Sequence, residues 1–597
     1  MSLIHVRRAA CGVALLLLAV PAAGAQAPAG DPTARLHALF TEEWERRLRE
    51  NPTFASALGD RRYNTMWPDL SLEAIERSHT ADREVLRRLV AIDRGALPPA
   101  EQLNYDLFHR QYEESVAAHR FREFLIPLNQ RGGIQTADNL AESLRFQTVR
   151  DHEDWIARLR GLGTQVDANI ALMRRGIAER RVHPRVIMER IPEQVAAQLV
   201  DDPARSPFYK PFAELPDSFP AATRQRLQRE AQAAIREVVV PAYRRFDRFF
   251  RNDYLAATRA SIGAWDLPDG AELYAFRARA FTTTDLTPDS IFAIGMTEVA
   301  RIRSQMEAII RDVGFEGTFA QFLAHLRTDP RFYHETPEAL FEAYLAASKR
   351  VDPELVRLFG TLPRMPYGVR PIPDAVAPHT TTAYYSRPAA DGSRAGYYYV
   401  NLYRPETRPI YEIEALTLHE AVPGHHLQIA LSMELGELPE FRRFGGFTAF
   451  TEGWGLYAES LGEEMGFYRD PYSKFGQLTY EMWRAVRLVV DAGMHHKRWT
   501  REQAIEFFAS NAAKSEHDIV NEIDRYIAWP GQALAYKIGE LKIKELRALA
   551  TERLGPRFDL RAFHDVVLGS GAVPLDVLER NVEAWIAGRI ARAGPAR

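Results

Sequence analysis

The chain has 597 residues, of which 46% are hydrophobic and 26% are charged, and its formal net charge is −3. These proportions are typical of a globular protein and exclude disordered, collagen-like and low-complexity proteins. The 76 basic and 79 acidic side chains give no basic excess of the kind that nucleic-acid-binding proteins carry. We therefore expect a globular protein without a nucleic-acid partner.

The first 25 residues differ in kind from the rest of the chain. Two arginines precede an apolar run over 13–20, and Ala23-Gly24-Ala25 follows that run. A positive segment, a short apolar segment and a small-x-small site are typical of a secretory signal peptide. The apolar run is too short to span about 30 Å of hydrocarbon. The sequence predicts a periplasmic or secreted protein whose mature chain starts near Gln26 and has no membrane span.

The chain's one cysteine, Cys11, lies inside this signal segment. The mature protein is therefore expected to contain no disulfide, no cysteine nucleophile and no cysteine metal ligand. A lipoprotein anchor is not predicted, because Cys11 precedes the apolar run instead of following it.

Helical periodicity dominates the rest of the chain. The segments predicted to be amphipathic helices are 35–50, 72–94, 99–120, 151–181, 222–257, 288–312, 337–349, 410–435, 447–466, 473–498, 501–513 and 532–553. We divide the chain into the signal peptide 1–25, an N-terminal helical part 26–290 and a C-terminal helical part 291–597. Residues 26–597 are expected to form one continuous domain.

One segment, 397–403, is predicted to be a β-strand because it is aromatic and β-branched. A lone strand would be unstable, so a small sheet is expected, with 381–386 as the partner. The proline-rich stretch 362–378 is interpreted as a loop. The sequence predicts a mainly α fold with a small β element next to the most informative helix.

That helix carries His-Glu-Ala-Val-Pro-Gly-His-His at 419–426. Zinc proteases commonly use HExxH, in which two histidines one turn apart bind zinc and the glutamate acts on a water molecule. Here the next histidines follow His419 by six and seven residues. In an unbroken helix six residues advance about 600° and seven residues rise about 10.5 Å, so neither pair could share one ion.

Pro423 and Gly424 provide a way around this geometry. Proline removes an amide donor and clashes with the carbonyl of His419, while glycine tolerates the resulting conformation. A two-residue bulge would bring His425 to the place of the second histidine. We therefore predict a zinc site with His419 and His425 as ligands; the alternative is a kinked helix that carries half-buried histidines.

A third ligand is expected to be a carboxylate in the next helix. Glu452 lies 27 residues past His425 among Phe, Trp and Tyr residues, where a carboxylate would be costly unless it were paired or metal-bound. Glu459 lies two turns further on the same face. We predict Glu452 as the ligand; Glu459 either orients a histidine ligand or lies on a solvated face.

Residues 419–428, followed by Thr-Glu-Gly-Trp at 451–454, resemble the bacterial domain-of-unknown-function family 885, whose signature is HExxPGHH. That family is similar in pattern to helical zinc metallopeptidases of the angiotensin-converting-enzyme type. The resemblance implies a large helical body with a deep channel, one Zn²⁺ per chain and Glu420 as general base. The two-residue insertion departs from those peptidases, as does Leu456, which stands where they carry an acid.

The same resemblance implies further site residues. In those peptidases a histidine and a tyrosine about ten residues apart stabilise the tetrahedral intermediate, and His517 and Tyr526 match them. Arg525, Tyr536 and Lys537 are further candidates for substrate binding. For all of these, ordinary core tyrosines and surface arginines remain the alternative.

Zincin-type peptidases also bind substrate along the edge of a strand beside the metal helix, so Asn401 is expected to contact the substrate backbone. Recognition of a free C-terminal carboxylate by Arg525 or Lys537 would imply a carboxypeptidase or a dipeptidyl carboxypeptidase.

The functional hypothesis is an exported zinc metallopeptidase that acts on short peptides. One alternative is a metal-dependent hydrolase of a non-peptide amide or ester. Another is a catalytically silent periplasmic binding protein whose metal site is closed by a fourth ligand such as His426. Three protein ligands would favour catalysis and four a structural site.

Overall fold

The structure, a computed structural model, describes residues 31–592 except 375–376, 378–380, 390–391, 393 and 437. The predicted signal segment, including Cys11, lies outside the described residues. Within them, no helix has both the length and the apolar character that crossing a bilayer requires.

The described chain is mainly helical, which confirms the predicted fold class. The helices before residue 287 are α1 (Pro32–Glu50), α2 (Pro52–Ala57), α3 (Leu72–Val90), α4 (Pro99–His119), α5 (Val149–Ala178), α6 (Arg185–Met188), α7 (Ile191–Ala196), α8 (Lys210–Ala213), α9 (Ala221–Ala234), α10 (Val240–Phe249), α11 (Leu255–Ala257) and α12 (Gly270–Thr282). Those after it are α13 (Pro288–Asp312), α14 (Phe319–Thr328), α15 (Pro337–Val351), α16 (Leu355–Leu358), α17 (Ile413–Glu420), α18 (His425–Met433), α19 (Glu440–Arg443), α20 (Thr448–Ser460), α21 (Pro471–His495), α22 (Arg501–Asn511), α23 (Glu516–Ala528), α24 (Ala535–Leu554), α25 (Leu560–Leu568) and α26 (Leu575–Arg592).

Local capping chemistry fixes several helix starts. The Thr287 hydroxyl accepts a hydrogen bond from the Ser290 amide at the start of α13. Thr500 and Gln503 form a reciprocal capping box at the start of α22. Such caps satisfy backbone donors that the first helical turn leaves without partners.

A three-stranded sheet accompanies the helices: β1 (Tyr367–Pro371), β2 (Ala383–Ser386) and β3 (Gly396–Val400). The strand order is β1-β3-β2, with β3 parallel to β1 and antiparallel to β2. The interpretation of 362–378 as a loop is wrong for β1. Its five residues carry little strand signal of their own and gain their conformation by pairing with β3.

Two large hydrophobic clusters both draw residues from either side of position 290. In one of them Phe40 lies 4.8 Å from Phe108 and 5.0 Å from Phe441, measured between ring centroids. The Phe108 and Phe441 rings are also 5.0 Å apart. The first helices of the chain therefore pack directly on the C-terminal part.

Around the site, α13 packs along α21 and α20 packs along α24. Glycines allow the close contact between α20 and α24. A Cβ atom on Gly453 would lie 2.5 Å from the Gly539 backbone, and one on Gly539 would lie 1.9 Å from the Ala449 carbonyl oxygen. Only glycine permits this approach, which fixes the position of α20.

Candidate metal centre

The predicted helix over 410–435 is interrupted at the motif. Helix α17 ends at Glu420 and α18 begins at His425, so 421–424 form a turn where a bulge within one helix was predicted. The turn is held by a hydrogen bond from the His426 amide to the Ala421 carbonyl (2.9 Å). The Trp454 indole also donates to the Pro423 carbonyl (2.8 Å). Proline cannot donate to the helical ladder, so the helix stops and restarts.

Gly424 allows this turn to be tight. A Cβ atom at this position would lie 1.9 Å from the carbonyl oxygen of His419 and 2.4 Å from that of Leu418. Any other residue would collide with the end of α17. The close approach places His425, the next residue, opposite His419, with ring centroids 4.7 Å apart.

His419, His425 and Glu452 come together as one group, with one ligand atom from each lying within 4.8 Å of the others. The Glu452 Oε2 atom lies 3.7 Å from His419 Nε2 and 3.6 Å from His425 Nε2. These distances exceed those of hydrogen bonds. Ligand atoms at 2.0–2.2 Å from a tetrahedral zinc lie about 3.4 Å from one another, so the spacing fits a shared ion.

The partners of His419 prepare it for this role. Its Nδ1 donates to Oε1 of the fully buried Glu459 at 2.8 Å, which leaves Nε2, the nitrogen nearer Glu452, as the one that can bind a metal. Arg484 lies 3.5 Å from the same Glu459 oxygen. Beneath the imidazole, a Cβ atom on Gly455 would be 2.8 Å from the ring. The ring is therefore fixed in both orientation and tautomer.

The electrostatics of the group favour a cation. Burial would raise the pKa of Glu452, but His419 and His425 lower it to about 2. Burial would lower the pKa of His419, but Glu452 and Glu459 raise it to about 9. The pKa of His425 is lowered, chiefly by burial. The carboxylate thus stays charged, and a metal ion would replace the proton that His419 otherwise holds.

His426 does not join this group. Its Nε2 lies 3.0 Å from the Met365 carbonyl oxygen and its Nδ1 lies 2.8 Å from the Tyr385 hydroxyl. Burial lowers its pKa to about 4, so the ring is neutral at neutral pH. Both nitrogens are engaged with the sheet region and neither serves as a metal ligand.

Glu420, the predicted general base, is half-buried at the end of α17. Its carboxylate makes no hydrogen bond or ion pair with any described residue. It lies close enough to His425 for its charge to act on the pKa of that imidazole.

Tyr526 and His517 both have partners other than the metal ligands. The buried Tyr526 hydroxyl donates to Glu522 at 2.5 Å and accepts from Arg487 and Trp483. Its proton is already used, so it has none to offer to a developing oxyanion. His517 lies on the exposed face of α23, with its Nε2 3.0 Å from the Asn521 amide.

Two predicted substrate-binding residues are held by partners inside the protein. The fully buried Asn401 amide donates to the Ala377 (2.8 Å) and Thr381 (3.1 Å) carbonyls, so it anchors a loop instead of facing a substrate. Strand β3, which precedes it, is central and has no open edge. Lys537 is fully buried within hydrogen-bonding distance of three carboxylates.

Arg525 is also largely committed, since its two terminal nitrogens donate to Glu522 and Gln532. Tyr536 remains half-buried, with the guanidinium of Arg487 4.3 Å from its ring centroid. Sequence reasoning missed Arg484 and Arg487. The sequence contains a signal for them, because two arginines three residues apart interrupt the otherwise apolar stretch 482–490.

The comparisons place these features in a family. The chain matches, over residues 52–582, the model of a family described as "Bacterial protein of unknown function (DUF885)". No curated protein matches the chain.

Two solved structures share its fold. A protein from Colwellia psychrerythraea described as a "putative lipoprotein" is 30% identical with a TM-score of 0.87, covering 94% of this chain and 100% of its own. A "putative lipoprotein of unknown function" from Shewanella oneidensis is 18% identical with a TM-score of 0.71, covering 92% and 99%, and shows likeness of fold alone. These descriptions are compatible with an exported protein. The predicted family is confirmed, and the chain belongs to the DUF885 family of bacterial proteins.

Proposed function

We propose that this protein is an exported zinc-dependent peptidase that hydrolyses short peptides. The observation that carries the proposal is the convergence of His419, His425 and Glu452, with Glu459 fixing the tautomer of His419. Two imidazoles and one carboxylate are the ligand set of many hydrolytic zinc sites, and they favour zinc over harder cations.

Zinc held there would polarise a scissile carbonyl and lower the pKa of a water molecule. Glu420 takes the proton of the attacking water and passes it to the nitrogen of the leaving amine. Its lack of a partner among the described residues leaves the carboxylate available for both transfers. Glu459 keeps His419 in the metal-binding tautomer throughout.

The count of ligands favours catalysis over a closed structural site. His426, the candidate fourth ligand, uses both ring nitrogens on Met365 and Tyr385. No second group of metal-binding side chains occurs in the part of the chain that the structure describes. Three protein ligands leave a position open for water and substrate. The resemblance of residues 419–452 to helical zinc peptidases favours a peptide as the substrate.

Metal content tests the first half of the proposal. Elemental mass spectrometry of the purified mature protein is expected to find about one zinc per chain. His425→Ala should lose the metal, whereas the neighbouring variant His426→Asn should retain it. A wild-type protein that stays metal-free after resupply with zinc would contradict the proposal.

Turnover tests the second half. Glu420→Gln should retain zinc and lose peptide cleavage by about 10²- to 10⁴-fold, the usual contribution of a general base. Glu502→Gln, on the exposed surface of α22, is the matched control and should cleave like wild type. Equal cleavage by Glu420→Gln and wild type would remove Glu420 from the mechanism.

A further inference from the structure

A cluster of arginines lies around a single carboxylate next to the metal centre. Glu522 on α23 is 3.1 Å from an Arg487 nitrogen and 3.0 Å from an Arg525 nitrogen. Burial would raise the pKa of Glu522, but these two arginines lower it to about 2. Glu522 is therefore ionised, and its single charge does not balance the two guanidinium groups that contact it.

Arg487 has an unused donor. Its Nε donates to the Tyr526 hydroxyl (2.8 Å) and its Nη2 to Glu522, but its buried Nη1 has no hydrogen-bond partner. A buried guanidinium nitrogen without an acceptor is unfavourable. Tyr536 packs against the same guanidinium and is half-buried. An acceptor that enters beside Tyr536 would satisfy this nitrogen.

A third arginine, Arg131, lies on a turn of the N-terminal part that docks on α23. Arg131 lies in a turn closed by two backbone hydrogen bonds between Asn129 and Gly132. The Gln130 side chain donates to the Asp524 carbonyl (3.1 Å), which docks the turn on α23. The Arg131 side chain is exposed and makes no hydrogen bond or ion pair with the described residues. Its pKa is lowered, first by desolvation and then by the charge of Arg525.

The cluster borders the metal ligands. Arg484, one helical turn before Arg487 on α21, lies 3.5 Å from Glu459 on α20. Glu452 lies two turns before Glu459 on α20, and Arg487 lies one turn after Arg484 on α21. The metal ligand Glu452 and the cluster residue Arg487 are therefore carried by two helices that are in contact.

We infer that Arg131, Arg487 and Tyr536 form a subsite for a carboxylate of the peptide substrate, beside the metal centre. The inference rests on the proposed function and adds to it the class of substrate, a peptide with an anionic group. Arg525 and Lys537, the candidates from sequence, are excluded because their own carboxylate and amide partners already occupy them. A carboxylate supplies the acceptors that the unused guanidinium nitrogens lack.

The test measures binding without turnover. Zinc-loaded Glu420→Gln protein is titrated calorimetrically with an N-acetylated alanine pentapeptide as the free acid, as the C-terminal amide, and as an amide whose last residue is aspartate. The acid is expected to bind about 10- to 100-fold more tightly than the plain amide, the range of one charge-assisted hydrogen bond. The aspartyl amide distinguishes a side-chain carboxylate from the C-terminal one.

Variants then assign the preference to this subsite. Arg131→Gln should abolish the preference for the acid, and Arg131→Lys should restore part of it. Arg229→Gln removes an arginine on α9 that is likewise exposed and without an ion pair, and it should change nothing. Arg131 is exposed, so these variants are expected to fold, which thermal unfolding checks.

The outcomes separate the two proposals. Equal affinity for acid and amide, or a preference that survives Arg131→Gln, would overturn the subsite even if the wild-type protein cleaves both peptides. An acid preference that depends on Arg131, in a protein that cleaves no peptide, would support the subsite while the proposed peptidase activity fails.

Discussion

His419 and Glu459 lie on different helices, and a 2.8 Å hydrogen bond joins Nδ1 of the imidazole to Oε1 of the carboxylate. This contact fixes which nitrogen of His419 can bind a metal. Partners of this kind typically contribute 10- to 100-fold to metal affinity.

We therefore expect Glu459→Ala to weaken zinc binding by about 10- to 100-fold. Competition with a zinc-binding dye measures the dissociation constant directly. Glu502→Gln is the control and should match wild type. An unchanged affinity in Glu459→Ala would mean that packing against Gly455 alone orients the ring.

Gly424→Ala should disrupt the metal centre. The added methyl group would lie 1.9 Å from the His419 carbonyl oxygen, so the end of α17 and the start of α18 must move apart. We expect a loss of about 3 kcal/mol or more in the free energy of unfolding, together with loss of zinc. Thermal unfolding and metal content measure the two effects.

Gly588→Ala provides the comparison, since a Cβ atom there meets no other atom within 4 Å. This helical glycine should gain about 0.5–1 kcal/mol on substitution. If Gly424→Ala behaved like Gly588→Ala, the tight turn would not be what sets the histidine spacing.

Lys537→Met should affect stability and not substrate recognition. The ammonium group lies 2.9 Å from Glu298, 2.8 Å from Glu481 and 2.6 Å from Glu540, all in the interior. Removing the lysine leaves these buried carboxylates with only Arg301 and Lys544 as cationic partners, which costs about 3 kcal/mol. The melting temperature should fall while the KM of the folded protein stays constant. A variant that is as stable as wild type but has a raised KM would show that Lys537 binds substrate.

Asp491 should make stability depend on pH. Burial raises its pKa to about 7, although the Tyr274 hydroxyl and the Gly531 amide donate to it. In the unfolded chain its pKa is about 3.9. Between about pH 4 and pH 7, Asp491 is therefore protonated in the folded state and ionised in the unfolded state. Its contribution to the free energy of unfolding is complete below about pH 4 and is lost as the pH rises to about 7.

Asp491→Asn removes this titration while keeping an acceptor for both donors. The variant should be more stable than wild type at pH 8 by about 1–3 kcal/mol, and the difference should shrink toward pH 5. Melting temperatures across this range measure it, with the exposed Asp285→Asn as control. A difference that does not vary with pH would show that Asp491 is ionised in the folded protein.

The helical fold was largely predictable, because periodicity and caps are local properties of the sequence. Helix α13 matches its predicted range at both ends. Strand β1 was not predictable, since it depends on pairing with a strand about 30 residues later. Helix α23 was missed, and Arg525 and Glu522 on it bear on the site.

Within the site, the sequence identified the residues that the structure gathers at the candidate metal centre. The residue types and the spacing of His419, His425 and Glu452 are enough to predict a metal site. It could not settle the roles of Lys537 and Asn401. Their residue types permit substrate contacts, and only the tertiary structure shows that internal partners hold them. Arg131 could not be identified from the sequence either, because only the tertiary structure shows that its turn docks on α23.

The packing of Phe40 and Phe108 against Phe441 has a consequence for how the chain acquires its structure. The first two rings are synthesised more than 300 residues before the third, so this part of the core cannot close until Phe441 has emerged from the ribosome. Contacts this distant in sequence slow folding, because the intervening chain must be ordered first. Helices α1 and α4 therefore lack this packing partner until most of the chain has been made, and they stay loosely packed for that part of synthesis.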